Sequence, residues 1–364
     1  MITKETTARR LRTIRRGLEK GKLDALLVID RANTYYVSGF ECSNSIIVIT
    51  ATGAWFLTDF RYMEKAGRDL GGRFEIRAMT QGGIGEIKDL LKGLRVRKVG
   101  FEGSIPFAQF RQLEKAAGTG KLVEASAILG QSRAVKDDAE IQLVAENQRM
   151  NERLLRAALE RVELGDSEID VRRGIRAEML ALGVEEAFDS IIATGANSSL
   201  PHAVPSRRKI ARNGFLLFDM GVKRHHYHSD MTRTYCVAGD RVHSKLREVY
   251  DVVLEAQLRA MAKVKAGAAC RVVDAAARDF ISSCGYGENF GHGLGHGVGL
   301  EIHEGPRLNP RSEELLEEGM VITIEPGIYL PGVGGVRIED LLVVTRNGYR
   351  NLTAMPKRWK TLKL

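Results

Sequence analysis

The sequence predicts two domains, an α/β unit over residues 1 to 130 and an α+β unit over residues 131 to 364. Three observations carry this reading. A chain of 364 residues is long enough for a small and a large domain, each with its own apolar core. As far as residue 122, short apolar runs alternate with helical stretches. From about Arg133 the pattern changes to long helices of 3.6 periodicity, with pairs of β-branched strands between them.

Residues 1 to 24 open with an amphipathic helix, because Leu11, Ile14 and Leu18 fall on one face. Leu23 to Ile29 and Ser45 to Thr50 read as strands, Asp59 to Leu70 as a helix, Phe74 to Met79 as a strand, Ile84 to Leu94 as a helix and Lys98 to Phe101 as a strand. The boundary falls in the loop around residues 125 to 135. Asp137 to Val162 is the first long helix of the second unit, with Asp137 or Asp138 as its cap. Asp166 to Leu182 is the next, opened by Gly165 and Asp166. Ser244 to Val264 and Arg271 to Cys284 follow, the last stopped by Gly285.

Composition narrows the function classes. Hydrophobic residues make up 44% and charged residues 28%, ordinary soluble usage, and no apolar run approaches the roughly 18 residues of a membrane span. Disordered, fibrous and membrane-spanning classes are thereby set aside. Cys42, Cys236, Cys270 and Cys284 contain no CxxC pair, so reduced thiols without disulfides are expected. The formal charge is +9, and a surplus of five sits in residues 1 to 24, on Lys4, Arg9, Arg10, Arg12, Arg15, Arg16, Lys20 and Lys22. Such a helix raises the question of nucleic acid. The aromatic platforms and reading motifs of nucleic-acid binders are missing, so a solvated helix face is expected, with neither a nucleic-acid nor a membrane partner. No apolar core of a signal peptide follows the basic stretch, which makes the cytoplasm the expected location.

Three of the eight histidines crowd into Gly291-His-Gly-Leu-Gly-His-Gly-Val-Gly-Leu-Glu-Ile-His303. Neither GxxxxGK[ST] nor a GxGxxG after a strand can be read there, which argues against a phosphate cradle. Instead, small residues would let the backbone fold closely around a metal while His292, His296 and His303 project into one cavity. Acids stand where burial is costly. Phe215-Leu-Leu-Phe-Asp219 reads as a buried strand ending in a carboxylate, and Asp230 opens the returning strand eleven residues later. Val321-Ile-Thr-Ile-Glu325 and Val336-Arg-Ile-Glu339 repeat the design, their acids fourteen residues apart. Carboxylates in such strands need cations beside them. Arg233 and Arg337 can supply some, but two acidic hairpins plus a histidine cluster argue for metal. The four acids carry −4, which two divalent cations balance. Oxygen-rich ligation with one imidazole suits Mn, Co, Fe or Zn. Two such ions about 3.5 to 4 Å apart can activate a water and polarise a carbonyl, which is hydrolase chemistry.

With these residues the chain resembles the pita-bread metallopeptidases, specifically the Xaa-Pro branch that contains prolidase (Xaa-Pro dipeptidase) and aminopeptidase P. The resemblance covers nearly the whole chain. Residues 1 to 130 are similar to the creatinase/prolidase N-terminal domain and residues 131 to 364 to the pita-bread catalytic domain, including the entry from Arg133-Ala-Val-Lys136 to Glu140 and the closing Leu352-Thr-Ala-Met-Pro-Lys357. It implies that Asp219 binds one metal, that Asp230 and Glu339 bridge both, and that His296 and Glu325 complete the second. It implies a proton-shuttling and substrate-closing role for His202, substrate or oxyanion contacts for His292 and His303, an ordering role for Arg337 and a second task for Glu325 as proton shuttle. It matches Arg307 to an arginine that pairs with a dipeptide's C-terminal carboxylate.

The resemblance further implies two divalent metal ions, Mn or Co, with Zn or Fe as alternatives, small proline-containing peptides as substrates, and a homodimer. One segment departs from the family's pattern. His225-His-Tyr-His228 is richer in histidine than expected and reads as a surface turn, with a contact to the cluster or adventitious metal binding as the other readings. Three rival readings fit these residues less well. A catalytically inactive pita-bread binding module would lose metal ligands, and all five are present. Methionine aminopeptidase lacks so large an N-terminal domain. Creatinase shares the two-domain plan without metal dependence.

Overall fold

The computed structural model describes residues 3–239 and 244–364. The chain divides into two compact units, Met1–Arg133 and Ala134–Leu364. In the first, α1 (Lys4–Gly21) buries Leu11, Ile14 and Leu18, as its periodicity predicts. Arg10 is buried with them. Its guanidinium lies 4.0 Å over the Tyr36 ring and donates to the Tyr36 carbonyl, while Arg15 donates to the Thr50 carbonyl at 3.0 Å. These two cations are structural and do not belong to a solvated basic face.

The unit continues through β1 (Ala25–Val28), α2 (Arg31–Ser38), β2 (Ser45–Thr50), β3 (Ala54–Thr58), α3 (Phe60–Leu70), β4 (Glu75–Ala78), α4 (Ile84–Gly93), β5 (Val99–Phe101), α5 (Phe107–Ala117), β6 (Leu122–Glu124) and α6 (Ser126–Ala134). Its strands form one mixed sheet in the order β4-β3-β2-β1-β5-β6. Pairing is antiparallel across β1, β2 and β3 and parallel at the other three pairs. The sequence pattern does not reveal α2, β3, α5, β6 or α6. Each is short, and β3 follows β2 through a tight turn, Gly53 N donating to the Thr50 hydroxyl at 3.0 Å, so the two strands merge in hydropathy.

The second unit opens with α7 (Asp138–Arg161). Asp137 is its cap in a reciprocal box: Glu140 N donates to Asp137 Oδ1 at 2.9 Å and Asp137 N to Glu140 Oε2 at 3.0 Å. Asp137→Ala should therefore cost about 1 kcal/mol of stability, read as a lower urea midpoint at unchanged slope. The next helix, α8 (Glu168–Ala181), starts later than the sequence suggests. Asp166 is occupied in accepting from Glu163 N at 2.8 Å, and Ser167 provides the cap.

Then follow β7 (Glu185–Glu186), β8 (Ile191–Thr194), β9 (Phe215–Met220), β10 (Val222–Arg224), β11 (Tyr227–His228), β12 (Met231–Val237), α9 (Ser244–Met261) and α10 (Cys270–Ser283). As expected, α10 stops at Cys284, with Gly285 left-handed at φ 84°. The chain closes through β13 (Gly295–Gly297), β14 (Glu304–Leu308), β15 (Val321–Ile324), β16 (Gly327–Leu330), β17 (Gly334–Arg337), β18 (Asp340–Thr345), β19 (Gly348–Asn351) and β20 (Thr361–Leu362).

Two sheets dominate this unit, β20-β12-β9-β8 and β14-β13-β15-β18-β19. Helices α7 and α8 share one apolar core with Leu216, Phe218, Met220, Met231 and Tyr235, while α9 and α10 share another with Ile322, Ile324, Val336 and Ile338. Strand residues alternate between faces, so the acids at 219, 230, 325 and 339 all fall on the faces turned away from these helix pairs. The first hairpin forms as read, with Thr232 opposite Asp219. The second is split: β15 pairs with β18 and β16 with β17, and Glu325 and Glu339 sit where the chain passes between the two pairings.

The histidine-rich segment is only partly a surface turn. His225 and His226, at φ 51° and 69°, make a two-residue turn between β10 and β11. Tyr227 and His228 are buried, contrary to expectation. The Tyr227 hydroxyl donates to Glu140 at 2.7 Å, and His228 meets the Gly299 carbonyl through its backbone N–H at 2.9 Å and its Nδ1 at 3.1 Å. His228 thus pins the histidine-bearing stretch. All four cysteines are free, and among the described residues no helix is long and apolar enough to cross a membrane.

Candidate active site

Every site residue singled out in the sequence lines one cavity of about 550 Å³: His202, Asp219, Asp230, His292, His296, His303, Arg307, Glu325, Arg337 and Glu339. They separate by depth. Asp219, Asp230, His296, Arg337 and Glu339 are buried at the floor, Glu325 and His292 are half-buried, and His202, His303 and Arg307 are exposed at the mouth.

The glycines around His296 have a different cause from the one expected. The backbone crowds against neighbouring strands: a Cβ on Gly295 would meet the Thr323 carbonyl oxygen at 2.1 Å, and one on Gly297 the Gly305 carbonyl oxygen at 2.0 Å. Glycine lets β13 seat between β14 and β15, which aims the single side chain between them, His296, at the acids.

At the floor, His296 Nδ1 lies 3.1 Å from the Gly297 carbonyl, which fixes a proton on that nitrogen. Nε2 then points at Glu325 Oε1 (3.2 Å) and Asp230 Oδ2 (3.7 Å). Burial works to raise the pKa of Glu325, but its hydrogen bond with His296 outweighs it and holds Glu325 at about 2. Asp230 and Glu339 have no such partner. Burial first, and neighbouring carboxylates second, push both far above the ordinary carboxylate range. Burial also raises Asp219, against the opposing charge of Arg337. Four carboxyls in one desolvated space therefore lack positive charge.

A divalent cation fits this deficit. One ligand atom each of Asp230, His296 and Glu339 lies within 4.8 Å of the others. Glu339 Oε2 accepts from the Thr232 hydroxyl at 2.8 Å, whereas Glu339 Oε1 is buried with no hydrogen-bond partner among the described residues. A buried carboxylate oxygen left in that state is costly unless a cation meets it. The ion-pair alternative accounts for one acid only. Arg337 pairs with Asp219, while Arg233 pairs at 2.7 Å with Asp340, outside the cluster, and donates to the Glu339 carbonyl.

Two polar residues escape a sequence reading. Thr232 orients Glu339 and accepts from Arg337 Nε at 3.1 Å. Its position two residues beyond Asp230, on the same strand face, is the signal that finds it. Tyr329 is fully buried; its hydroxyl accepts from Arg337 Nη1 at 2.7 Å and lies 3.0 Å from His292 Nε2. Within an apolar strand it carries no sequence signal beyond its residue type. With His292 Nδ1 also 2.8 Å from the Gly293 carbonyl, both nitrogens of His292 are engaged. The rings of His202 and His303 make no hydrogen bond among the described residues. Burial lowers the pKa of His292, and burial followed by the neighbouring His296 lowers His303 to about 4. His303 is therefore a neutral N–H donor at neutral pH.

A donor set of four acids and one histidine at the floor of a cleft is a metal-hydrolase arrangement, and comparison with known proteins identifies it. A family model described as Metallopeptidase family M24 matches residues 142–346, and one described as Creatinase/Prolidase N-terminal domain matches residues 10–135. The chain belongs to metallopeptidase family M24. As an M24 enzyme it has the two-part architecture read from the sequence, a creatinase-type N-terminal domain and a pita-bread catalytic domain. It is 36% identical over 338 residues to an Xaa-Pro dipeptidase of Pyrococcus horikoshii, covering 92% of this chain and 94% of that protein. Among solved structures, an Xaa-Pro dipeptidase from Bacillus anthracis superposes with a TM-score of 0.93 at 36% identity, covering 98% of this chain and all of that one. An X-Pro aminopeptidase from Thermotoga maritima superposes with a TM-score of 0.84 at 34% identity, covering 95% and 99%.

Proposed function

We propose that this M24 enzyme is a dinuclear metal-dependent exopeptidase that hydrolyses Xaa-Pro dipeptides, with residues 131 to 364 as the catalytic domain behind an N-terminal domain of residues 1 to 130. In this reading Asp219, Asp230 and Glu339 would hold one cation, and Asp230, Glu339, His296 and Glu325 the other. The donor chemistry suits Mn or Co, with Zn or Fe as alternatives. Such cations, when bound, supply the charge that makes a water nucleophilic at neutral pH and polarises the scissile carbonyl.

The chain's own residues do the rest. Glu325, kept ionised beside His296, accepts a proton from the attacking water and returns it to the departing proline nitrogen. His303, whose ring makes no hydrogen bond among the described residues, offers a donor to the oxygen that becomes negative as the carbonyl carbon turns tetrahedral, and His202, equally unbonded among them, is placed to relay protons. Arg337, raised well above its usual pKa mainly by Tyr329 and Asp219 against the cost of burial, stays charged and holds Asp219 in place. Phe188, Ile191 and Leu308 give the cavity an apolar wall suited to a pyrrolidine ring. Proline justifies a dedicated site, since its amide has no N–H and its ring fixes φ.

Arg307 is the observation that carries the dipeptidase reading. Its guanidinium lines the cavity mouth and, among the described residues, forms no ion pair, so its fork is available to a substrate carboxylate. The relatives that bear the name Xaa-Pro dipeptidase support the same choice. A second reading, aminopeptidase P, is favoured by a further cavity of about 600 Å³ that shares His292, Gly293, Arg307 and Asn309 and leaves room for longer peptides. Arg307→Ala decides between them. It should lose about 1.5 to 3 kcal/mol on Xaa-Pro dipeptides, roughly 10- to 150-fold in kcat/KM and mainly in KM, with Xaa-Pro-Yaa peptides barely affected. Equal losses on dipeptides and tripeptides, or a wild-type preference for tripeptides, would assign the chain as an aminopeptidase. The resemblance also supports a homodimer, which light scattering measures directly.

A further inference from the structure

The loop that carries His292 is gripped from behind by α10. Asp274 and Arg278, one helical turn apart, form a two-pronged pair, Nε to Oδ2 at 2.7 Å and Nη2 to Oδ1 at 2.8 Å. Asp274 is buried. An i,i+4 pair on a free helix surface stabilises by only a few tenths of a kcal/mol and needs no further partners. This one has three. Arg278 Nη1 donates to the Phe290 carbonyl at 3.1 Å and Nη2 to the His292 carbonyl at 2.8 Å, while Asp274 Oδ1 accepts from Leu294 N at 3.1 Å. The guanidinium also lies 4.3 Å over the Phe290 ring, and the Phe290 ring meets the His292 ring edge-on at 5.0 Å.

One ion pair thus fixes the backbone at residues 290, 292 and 294, before, at and after His292. Neither of its side chains lines the cavity that holds the acids; Arg278 lines only the adjoining cavity of about 600 Å³. The two ends of the clamped loop are apolar anchors, since Phe290 and Leu294 are buried; the residue between them is the polar one that faces the cavity and the Tyr329 hydroxyl. Backbone anchoring of this kind sets where a ring sits without touching what the ring touches.

We propose that Asp274 and Arg278 are positioning residues for hydrolysis, a clamp that sets the place of His292 in the active site; the inference rests on the reading of His292 as an active-site residue. A displacement of about 1 Å at a reacting centre costs on the order of 100-fold. Arg278→Ala should lower kcat about 10- to 100-fold with KM within about 2-fold and metal content close to that of the parent, while the thermal midpoint falls because Asp274 is left buried without its cation. Arg278→Lys, which keeps the charge opposite Asp274 but has one nitrogen for two carbonyls, should recover part of the loss.

The double variant Arg278→Ala/His292→Ala is the deciding measurement. If the clamp acts through His292, the double variant is no slower than His292→Ala alone, within about 2-fold, because there is no ring left to misplace. Multiplicative losses would overturn the clamp and leave Arg278 a stabiliser of α10. Should Arg278→Ala fail to fold, Arg278→Lys combined with His292→Ala gives the same comparison. A large loss in His292→Ala with none in either Arg278 variant removes the clamp alone. A fully active His292→Ala removes the catalytic reading of that histidine, and the clamp with it.

Discussion

Asp230→Ala should lose both bound cations, or nearly all activity, when metal is measured by elemental analysis alongside turnover of an Xaa-Pro dipeptide. The expectation follows from where Asp230 sits. It opens β12 at the floor of the cavity, its carboxylate 3.7 Å from His296 Nε2 and in the same cluster as Glu339. Burial and the neighbouring acids raise its pKa well above the ordinary carboxylate range, so in the absence of a cation it is poorly able to keep its charge. A ligand shared by two ions serves both, and its removal leaves each with an incomplete set of donors as well as one negative charge fewer. Asp230→Asn, of nearly the same shape, should fall with it, because the shared position needs a charged acceptor on both oxygens. The fold should survive either change, since the helix-facing cores do not include Asp230. Full turnover by a demonstrably metal-free preparation would end the dinuclear proposal.

His202→Ala carries the next largest expected effect, a fall in kcat of about 100-fold or more, the scale of a lost proton-transfer group. The ring stands at the mouth of the cavity on a loop tied down on both sides. Ser198 Oγ accepts from Gly335 N at 2.8 Å, Arg337 Nη1 donates to the Pro201 carbonyl at 3.3 Å, and Ala203 is buried. An exposed imidazole on an anchored loop, without a protein hydrogen bond among the described residues, is placed to meet a substrate. Since it is not at the floor, metal content should remain at the parent level. Loss of one metal equivalent from His202→Ala would instead make it a ligand and displace one of the five donors assigned here.

These two variants also mark the line between what each level of description contributes. Residue types and spacing determined the two-part fold class, the long helices with a cap at Asp137 or Asp138 and a stop at Gly285, and eight of the ten side chains that prove to line one cavity, while His202 and Arg307 came from the family resemblance. They could do so because periods of 2 and 3.6 and a glycine-histidine run are local patterns, and because acids inside apolar strands betray themselves by their cost. Alternation alone places Asp219 and Asp230 on one sheet face and Glu325 and Glu339 on another.

The sequence could not show which charges meet. Arg233 stands close in sequence to Asp230 and Arg337 to Glu339, yet only packing decides that Arg337 meets Asp219 while Arg233 is drawn to Asp340. It could not give Gly295 and Gly297 their true reason, because the atoms they avoid, the Thr323 and Gly305 carbonyls, come close only when β14 and β15 have paired with β13. Nor could it separate Tyr227 and His228 from the exposed turn they adjoin, since their partners Glu140 and Gly299 are more than 70 residues away. Tyr329 joining Arg337 to His292, and Asp274 with Arg278 behind it, follow from the same cause. Hydrogen bonds are short-ranged in space and indifferent to distance along the chain, so the donors and acceptors that orient a site are settled only when the sheets and helices have packed.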